Sequence, residues 1–242
     1  MALPKARNVV SLTRHKKSNT RQAALYKRVY EELRHGLTDG LFVPGEVISL
    51  RSIADQLGTS AMPVREAIRR LTAEGALELR PSRITVIPMI SRRRFTEITE
   101  LRLELEVKAT EIAVHQRPPN LLGTLEALEH KAKAVRQQHV AARLSVNREF
   151  HFTIYNAAGS GLRSHMIQLL WLQSAALTHV YFAQGPTKSQ GRFHRVIIEA
   201  MREANAKRAA TAMRDDILET ANHLLSTWKF PEDDVISALS HG

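Results

Sequence analysis

The chain has 242 residues, no cysteine, and 35 Lys/Arg against 24 Asp/Glu, a formal net charge of +11. The length suits one large domain or two modest ones. The missing thiols exclude disulfides and thiolate metal sites, and no apolar run approaches the roughly 18 residues of a membrane span. The base is unevenly spread: residues 1–92 hold 16 Lys/Arg against 8 Asp/Glu, and residues 93–242 hold 19 against 16. The excess therefore lies in the first part, as a polyanion-binding module requires. The only apolar cluster near the start, Val9-Val10, is too short for a signal peptide, so a cytoplasmic protein is expected.

Taken in order, residues 1–20 carry Lys5, Arg7, Arg14, Lys16 and Lys17 and read as a flexible basic arm, either a disordered terminus or an extra phosphate contact. From Gln22 to about Asp39, Leu25, Val29, Leu33 and Leu37 recur every four residues and predict an amphipathic helix. Gly40, Pro44 and Gly45 then break the chain. Ile53 to Gly58 reads as a short helix closed by a glycine. Ser60 follows as a candidate N-cap, with Pro63 in the first turn of the next helix, about 61–74. Ala67, Ile68 and Leu71 supply its apolar face, and Arg65, Arg69 and Arg70 its charge. Leu77–Arg80 and Ile84–Ile87 alternate like strands around Pro81-Ser82-Arg83. Two helices joined by a tight turn, the second basic, followed by a basic wing, make a DNA-binding winged helix-turn-helix of three helices and two strands over 21–88.

A linker is expected over 89–94. Beyond it the pattern is helical, with helices predicted near 93–116, 121–141, 143–158, 162–184, 190–204 and 206–229. Pro118-Pro119, Gly159-Ser160-Gly161 and Gly185-Pro186 punctuate them. Residues 95–229 therefore predict an all-α bundle, and 230–242 a loose tail. The whole is mainly α. In the first of these helices Ile98, Leu101, Leu105, Ala109 and Ile112 share a face, and Arg102 falls within that arc. A buried guanidinium needs an anion: either an internal partner such as Glu106, or the carboxylate of a ligand gripped bidentately. Asn147 and His151 are four apart and share an inward helix face with Val146, Phe150 and Ile154.

Pro44-Gly45, Ile53-Ala54-x-x-Leu57-Gly58-x-Ser60, Pro63-Val64-Arg65-Glu66-Ala67 and Leu71-x-x-Glu74-Gly75 closely resemble the GntR family of bacterial transcription regulators. Arg102-x-x-x-Glu106, the Phe150-His151 pair and the all-α second domain resemble its FadR-like subgroup, whose effector domain is called FCD. The resemblance covers roughly residues 22–229. It implies a homodimer on a palindromic double-stranded DNA operator, controlled by a small organic acid often bound beside a divalent metal. Arg51, Ser60 and Arg65 match family positions that contact DNA. Ala61 and Met62 stand where the family has Arg-Thr. Arg69, Arg80, Ser82 and Arg83 complete the candidate DNA face, and Pro81-Ser82-Arg83 is stiffer than the family's glycine-rich wing turn.

The resemblance also implies a metal site. The family's Asp-x-x-x-His falls at Asn147 and His151, its third ligand at His194, and its fourth, usually His, at Asp216. Two imidazoles and a carboxylate, with an amide oxygen as a weak fourth ligand, suit Zn²⁺, Ni²⁺, Mn²⁺ or Fe²⁺. The alternative is a metal-free polar pocket. Arg102 is then the expected effector-binding residue, and a regulator rather than an enzyme is expected. A 2-His-1-carboxylate enzyme and a non-specific DNA-binding protein are the rival classes.

Overall fold

The four-residue repeat forms α1 (Lys16–Thr38). In the computed structural model, which describes residues 16–185 and 191–232, Val29, Leu33 and Leu37 are buried in one cluster with Val64, Ala67 and Leu71 of α3 (Ala61–Ala73). Residues 1–15 of the expected basic arm lie outside the described residues, and Lys16 to Thr20 belong to α1 instead. Between these helices α2 (Leu50–Gln56) begins three residues earlier than expected, because the Ser49 hydroxyl accepts the backbone N–H of Ser52 as an N-cap. Gly58 takes φ +58, which closes the turn. Ser60 stands at the N-cap of α3 with extended backbone, but its hydroxyl accepts no capping hydrogen bond, a correction to the sequence reading. Pro63 is the third residue of α3, where its missing N–H leaves no intrahelical bond unmade.

The wing holds one strand more than expected. β1 (Val47–Ile48), β2 (Glu78–Arg80) and β3 (Ile84–Val86) form an antiparallel sheet in the order β1-β3-β2. Val47 faces Val86 and Leu79 faces Thr85 across it. A two-residue strand is too short to leave an alternation signal. At the tip Pro81–Arg83 forms a single 3-10 turn, and Arg83 takes φ +61.

The expected linker is shorter than 89–94. α4 (Arg92–Gln116) starts at Arg92, capped by Ser91, whose hydroxyl accepts the N–H of Arg94. α5 (Leu121–Ala134), α6 (Val140–Ala157), α7 (Gly161–Ala183), α8 (Arg192–Arg202) and α9 (Ala206–Thr227) complete the bundle. The helix expected over 121–141 stops at Ala134: Val135 takes extended backbone and residues 136–139 turn, so that α6 returns along α5. No proline or glycine marks that break. Helix α4 is central, packed by α6, α7 and α9. Its Ile98 and Ala109 are buried as expected, but Leu101 is 47% exposed, because the packed faces leave that side of α4 outward. Phe230, assigned to a loose tail, packs against Phe95 at 5.5 Å between centroids; residues 233–242 lie outside the described ones.

The two halves touch. Leu172 of α7 is buried in the apolar core of the winged helix-turn-helix. Arg34 donates to Gln168 (2.6 Å), Arg148 to Asp39 (2.9 Å), and the Gln173 amide to the Glu74 carbonyl that ends α3 (3.0 Å). No helix among the described residues is long and apolar enough to cross a membrane.

Candidate metal centre and DNA-contacting face

The candidate DNA face lies on α2, α3 and the wing. Arg51, Ser60, Ala61, Met62, Arg65, Arg69 and Arg83 are exposed, Met62 by 58%. Arg69 is bridged to Glu66 at 3.3 Å and Arg80 to Glu78 at 2.9 Å, both within their own element. Arg51 and Arg65 make no ion pair with any described residue. Ser82 sits within the turn at the wing tip.

The second constellation is interior. Helix α6 carries Asn147 and His151, α8 carries His194, and α9 carries Asp216. One ligand atom from each of His151, His194 and Asp216 lies within 4.8 Å of the others. His151 Nε2 is 3.2 Å from Asp216 Oδ2 and 3.2 Å from His194 Nε2. Phe150 stacks on the His194 ring at 4.0 Å and 11° and so fixes its plane. Burial pushes the His194 imidazole down to about 4, against the pull of Asp216 and with the help of His151, so the ring is neutral at pH 7. Burial works to raise the Asp216 carboxyl, but the hydrogen bond and charge of His151, with His194 and Arg102 behind them, outweigh it and hold the group below the usual carboxylate range. Asn147 lines the same cavity.

Arg102 also faces that cavity, held by Glu106. Its Nε donates to Glu106 Oε1 at 2.7 Å and its Nη2 to Oε2 at 3.4 Å, and its guanidinium lies over the Trp171 ring at 4.8 Å. Of the two partners left open for Arg102, the internal one is therefore present. Glu106 is fully buried and takes two further donors, the Trp171 indole N–H (2.9 Å) and the Tyr155 hydroxyl. The Tyr155 oxygen in turn lies 3.1 Å from His151 Nδ1. Sequence reasoning missed Tyr155 and Trp171. Tyr155 had a signal, since it follows His151 by four residues on the same face of α6; Trp171 had none, because only the tertiary packing of α7 on α4 brings it to Glu106.

Arg102, Asn147, His151, Trp171, His194 and Asp216 line a cavity of about 410 Å³, together with Lys133, Arg143, Thr178, Tyr181, Phe182 and Arg195. Its size fits a small organic molecule, and its floor offers nitrogen and oxygen ligands beside a guanidinium.

Comparison with known proteins gives the same two parts. Residues 25–87 match the family model described as bacterial regulatory proteins, gntR family, and residues 97–219 match the FCD domain. The HTH-type transcriptional regulator McbR of Escherichia coli is 32% identical over 170 residues, 69% of this chain and 77% of that one. The solved structure of E. coli McbR/YncC superposes with a TM-score of 0.78 at 27% identity, covering 85% of this chain and 99% of the other. A GntR regulator structure from Rhodococcus sp. RHA1 shares the fold at a TM-score of 0.69 and 17% identity, over 85% of this chain and all of that one.

Proposed function

Because the chain belongs to the gntR family of bacterial regulatory proteins and carries an FCD domain, it is a DNA-binding transcriptional regulator, and we propose that a small carboxylate bound beside a divalent metal in the FCD domain sets its affinity for a palindromic operator. The observation that carries the metal half is the convergence of His151 Nε2, His194 Nε2 and Asp216 Oδ2. Acceptor atoms crowded at 3.2 Å call for a cation among them, either a shared proton or a metal ion. A neutral His194 is in the state a metal requires, and two imidazoles with one carboxylate are a fitting donor set for Zn²⁺, Ni²⁺, Mn²⁺ or Fe²⁺. His151, His194 and Asp216 would hold the ion, with the Asn147 amide as a weak fourth ligand. The bound ion supplies Lewis-acid charge.

That charge matters for the effector. Arg102 is neutralised by Glu106, so at the ligand cluster itself the Asp216 carboxylate leaves a negative charge. A divalent ion reverses that sign, and Arg102 then helps to orient an incoming carboxylate. The reading is of sensing rather than turnover, in a homodimer in the cytoplasm that presents one recognition helix to each half-site. The test is elemental analysis of protein purified without chelators, with anisotropy titrations on an operator selected from random duplexes. The double variant His151→Ala/His194→Ala is expected to lose the metal and any effector-dependent change in DNA affinity while remaining helical. A double variant that keeps a full response overturns the metal half. Metal-dependent consumption of a small acid by the purified protein would instead favour a 2-His-1-carboxylate enzyme.

A further inference from the structure

Glu106 and Tyr155 form a buried relay behind the candidate metal centre, on the side away from the cavity. Glu106 is paired with Arg102, so its carboxylate is an acceptor only. The Tyr155 hydroxyl has one proton and three neighbours: the Glu106 carboxylate, His151 Nδ1 at 3.1 Å and the Met213 sulfur at 3.4 Å. Its proton goes to the carboxylate, the strongest acceptor of the three. The oxygen lone pair is then turned toward His151, and a lone pair cannot hydrogen-bond another lone pair. His151 must therefore carry a proton on Nδ1 and donate it to Tyr155. The consequence lies on the other side of the ring: with Nδ1 protonated, release of the Nε2 proton that bonds Asp216 leaves a neutral ring with its lone pair on Nε2, the atom that faces His194 and Asp216.

We propose that Tyr155, oriented by Glu106, is the positioning residue that fixes His151 as an Nε2 metal ligand. A carboxylate behind a ligating histidine is a common arrangement; here a tyrosine is interposed, and the chain reads Glu106, Tyr155, His151. The relay is rigid by construction. Tyr155, Glu106 and His151 are each at most 1% exposed, and the Tyr155 and Trp171 rings meet edge to face at 6.5 Å. The same carboxylate also holds the effector-facing guanidinium of Arg102 and the Trp171 indole. One buried anion thus sets the orientation of a metal ligand and of the cation beside it. This inference rests on the metal reading above, and its test separates the two.

The experiment is zinc titration by calorimetry on the full-length chelator-treated protein and on Tyr155→Phe, together with the imidazole nitrogen NMR spectrum of the zinc-loaded wild type. Tyr155→Phe keeps the ring and removes only the hydroxyl. It is expected to bind zinc 10- to 100-fold more weakly, with an unchanged helical spectrum in chelator. Met213→Leu, which alters only the packing neighbour, is expected to bind zinc as the wild type does. The wild-type spectrum is expected to show His151 coordinated through Nε2 with its proton on Nδ1. Coordination through Nδ1 overturns the proposal even if Tyr155→Phe does not fold. Tyr155→Phe binding zinc as tightly as the wild type overturns it while leaving the metal site intact. A wild type that binds no zinc overturns both.

Discussion

At the scale of single residues the DNA face makes the sharpest prediction. Ala61 and Met62 begin α3, and Met62 projects an apolar side chain from the end of the helix that is proposed to meet base edges. An exposed thioether in a charged face fits the 5-methyl group of thymine, which carries no hydrogen-bond information but is a specific apolar contact in the major groove. Met62→Ala is expected to cost roughly 1 kcal/mol of discrimination at one operator position, the scale of one or two buried methyl groups, and to leave the salt dependence unchanged. Met62→Arg is expected to move the preference there toward guanine. Binding profiles over all four bases check this, and an unaltered profile for both variants would remove Met62 from the readout. Arg65 is exposed and makes no ion pair with a described residue, so its charge is available. Arg65→Ala is expected to weaken binding by roughly 1–3 kcal/mol at one position if it reads a base; if it touches phosphate, all sequences weaken alike and the salt slope falls by about one. Salt-series anisotropy distinguishes these outcomes. Residue identity made this much legible in advance, because register along a helix follows from spacing. The partners of Arg102 were legible only to Glu106, four residues away; Tyr155 and Trp171 come from other helices and no local spacing encodes them.

At the scale of elements, α7 joins the two ends of the molecule. Trp171 and Thr178 line the cavity, while Leu172 is buried in the core of the DNA-binding half and Gln173 holds the carbonyl at the end of the recognition helix. Gln173 also accepts from Arg94 at the start of α4, at 2.9 Å. Gly75, at φ +74, lies close under it: a Cβ there would stand 3.2 Å from the Gln173 amide. A displacement of Trp171 by a bound ligand is therefore expected to reach α3 through Leu172 and Gln173. Leu172→Ala is expected to destabilise the chain by about 2–5 kcal/mol, as for other buried leucines. Because Leu172 belongs to both halves, urea unfolding followed by probes in each is expected to shift together; a shift confined to the FCD probe would show the docking to be loose. Gln173→Ala is expected to reduce the effect of zinc on operator affinity by about 0.5–2 kcal/mol without altering zinc binding itself. The helices themselves were legible from their periodicity and from Gly and Pro punctuation, since an amphipathic stripe needs no tertiary knowledge. The end of α5 at Ala134, the two-residue β1 and the docking of α7 were not, because each is decided by what packs against it.

At the scale of the whole molecule, charge and stability are the testable quantities. The uneven base was visible in composition and agrees with the position of the DNA-binding half. The proposed palindromic operator calls for two-fold symmetry, and the FCD half exposes Leu162 (75%) and Met166 on α7 and Leu101 on α4. The pair Leu162→Glu/Met166→Glu is expected to convert a dimer to a monomer in light scattering and to weaken operator binding. Stability against pH tests the cavity floor directly. In chelator-treated protein burial holds the folded His194 at about 4, against 6.5 for a free imidazole side chain. The folded state therefore binds fewer protons than the unfolded chain in between. His194 contributes in full above about pH 6.5, and its contribution is lost as pH falls toward 4, by roughly 3 kcal/mol. Asp216, held low by His151, adds a loss of the same sign at more acid pH, as its folded form is forced to take a proton. At the proposed site zinc would sharpen the trend. It would stabilise the folded state by mass action, and only with His151 and His194 neutral, so the rise in melting temperature on adding zinc is expected to be largest near pH 7.5 and to vanish toward pH 5. His194→Gln should flatten the chelated profile between pH 6.5 and 4 relative to the wild type and abolish most of the zinc increment. If that variant keeps the wild-type slope in chelator, the buried neutral imidazole is not what makes the chain acid-sensitive. If it keeps the zinc increment as well, the ion is bound elsewhere.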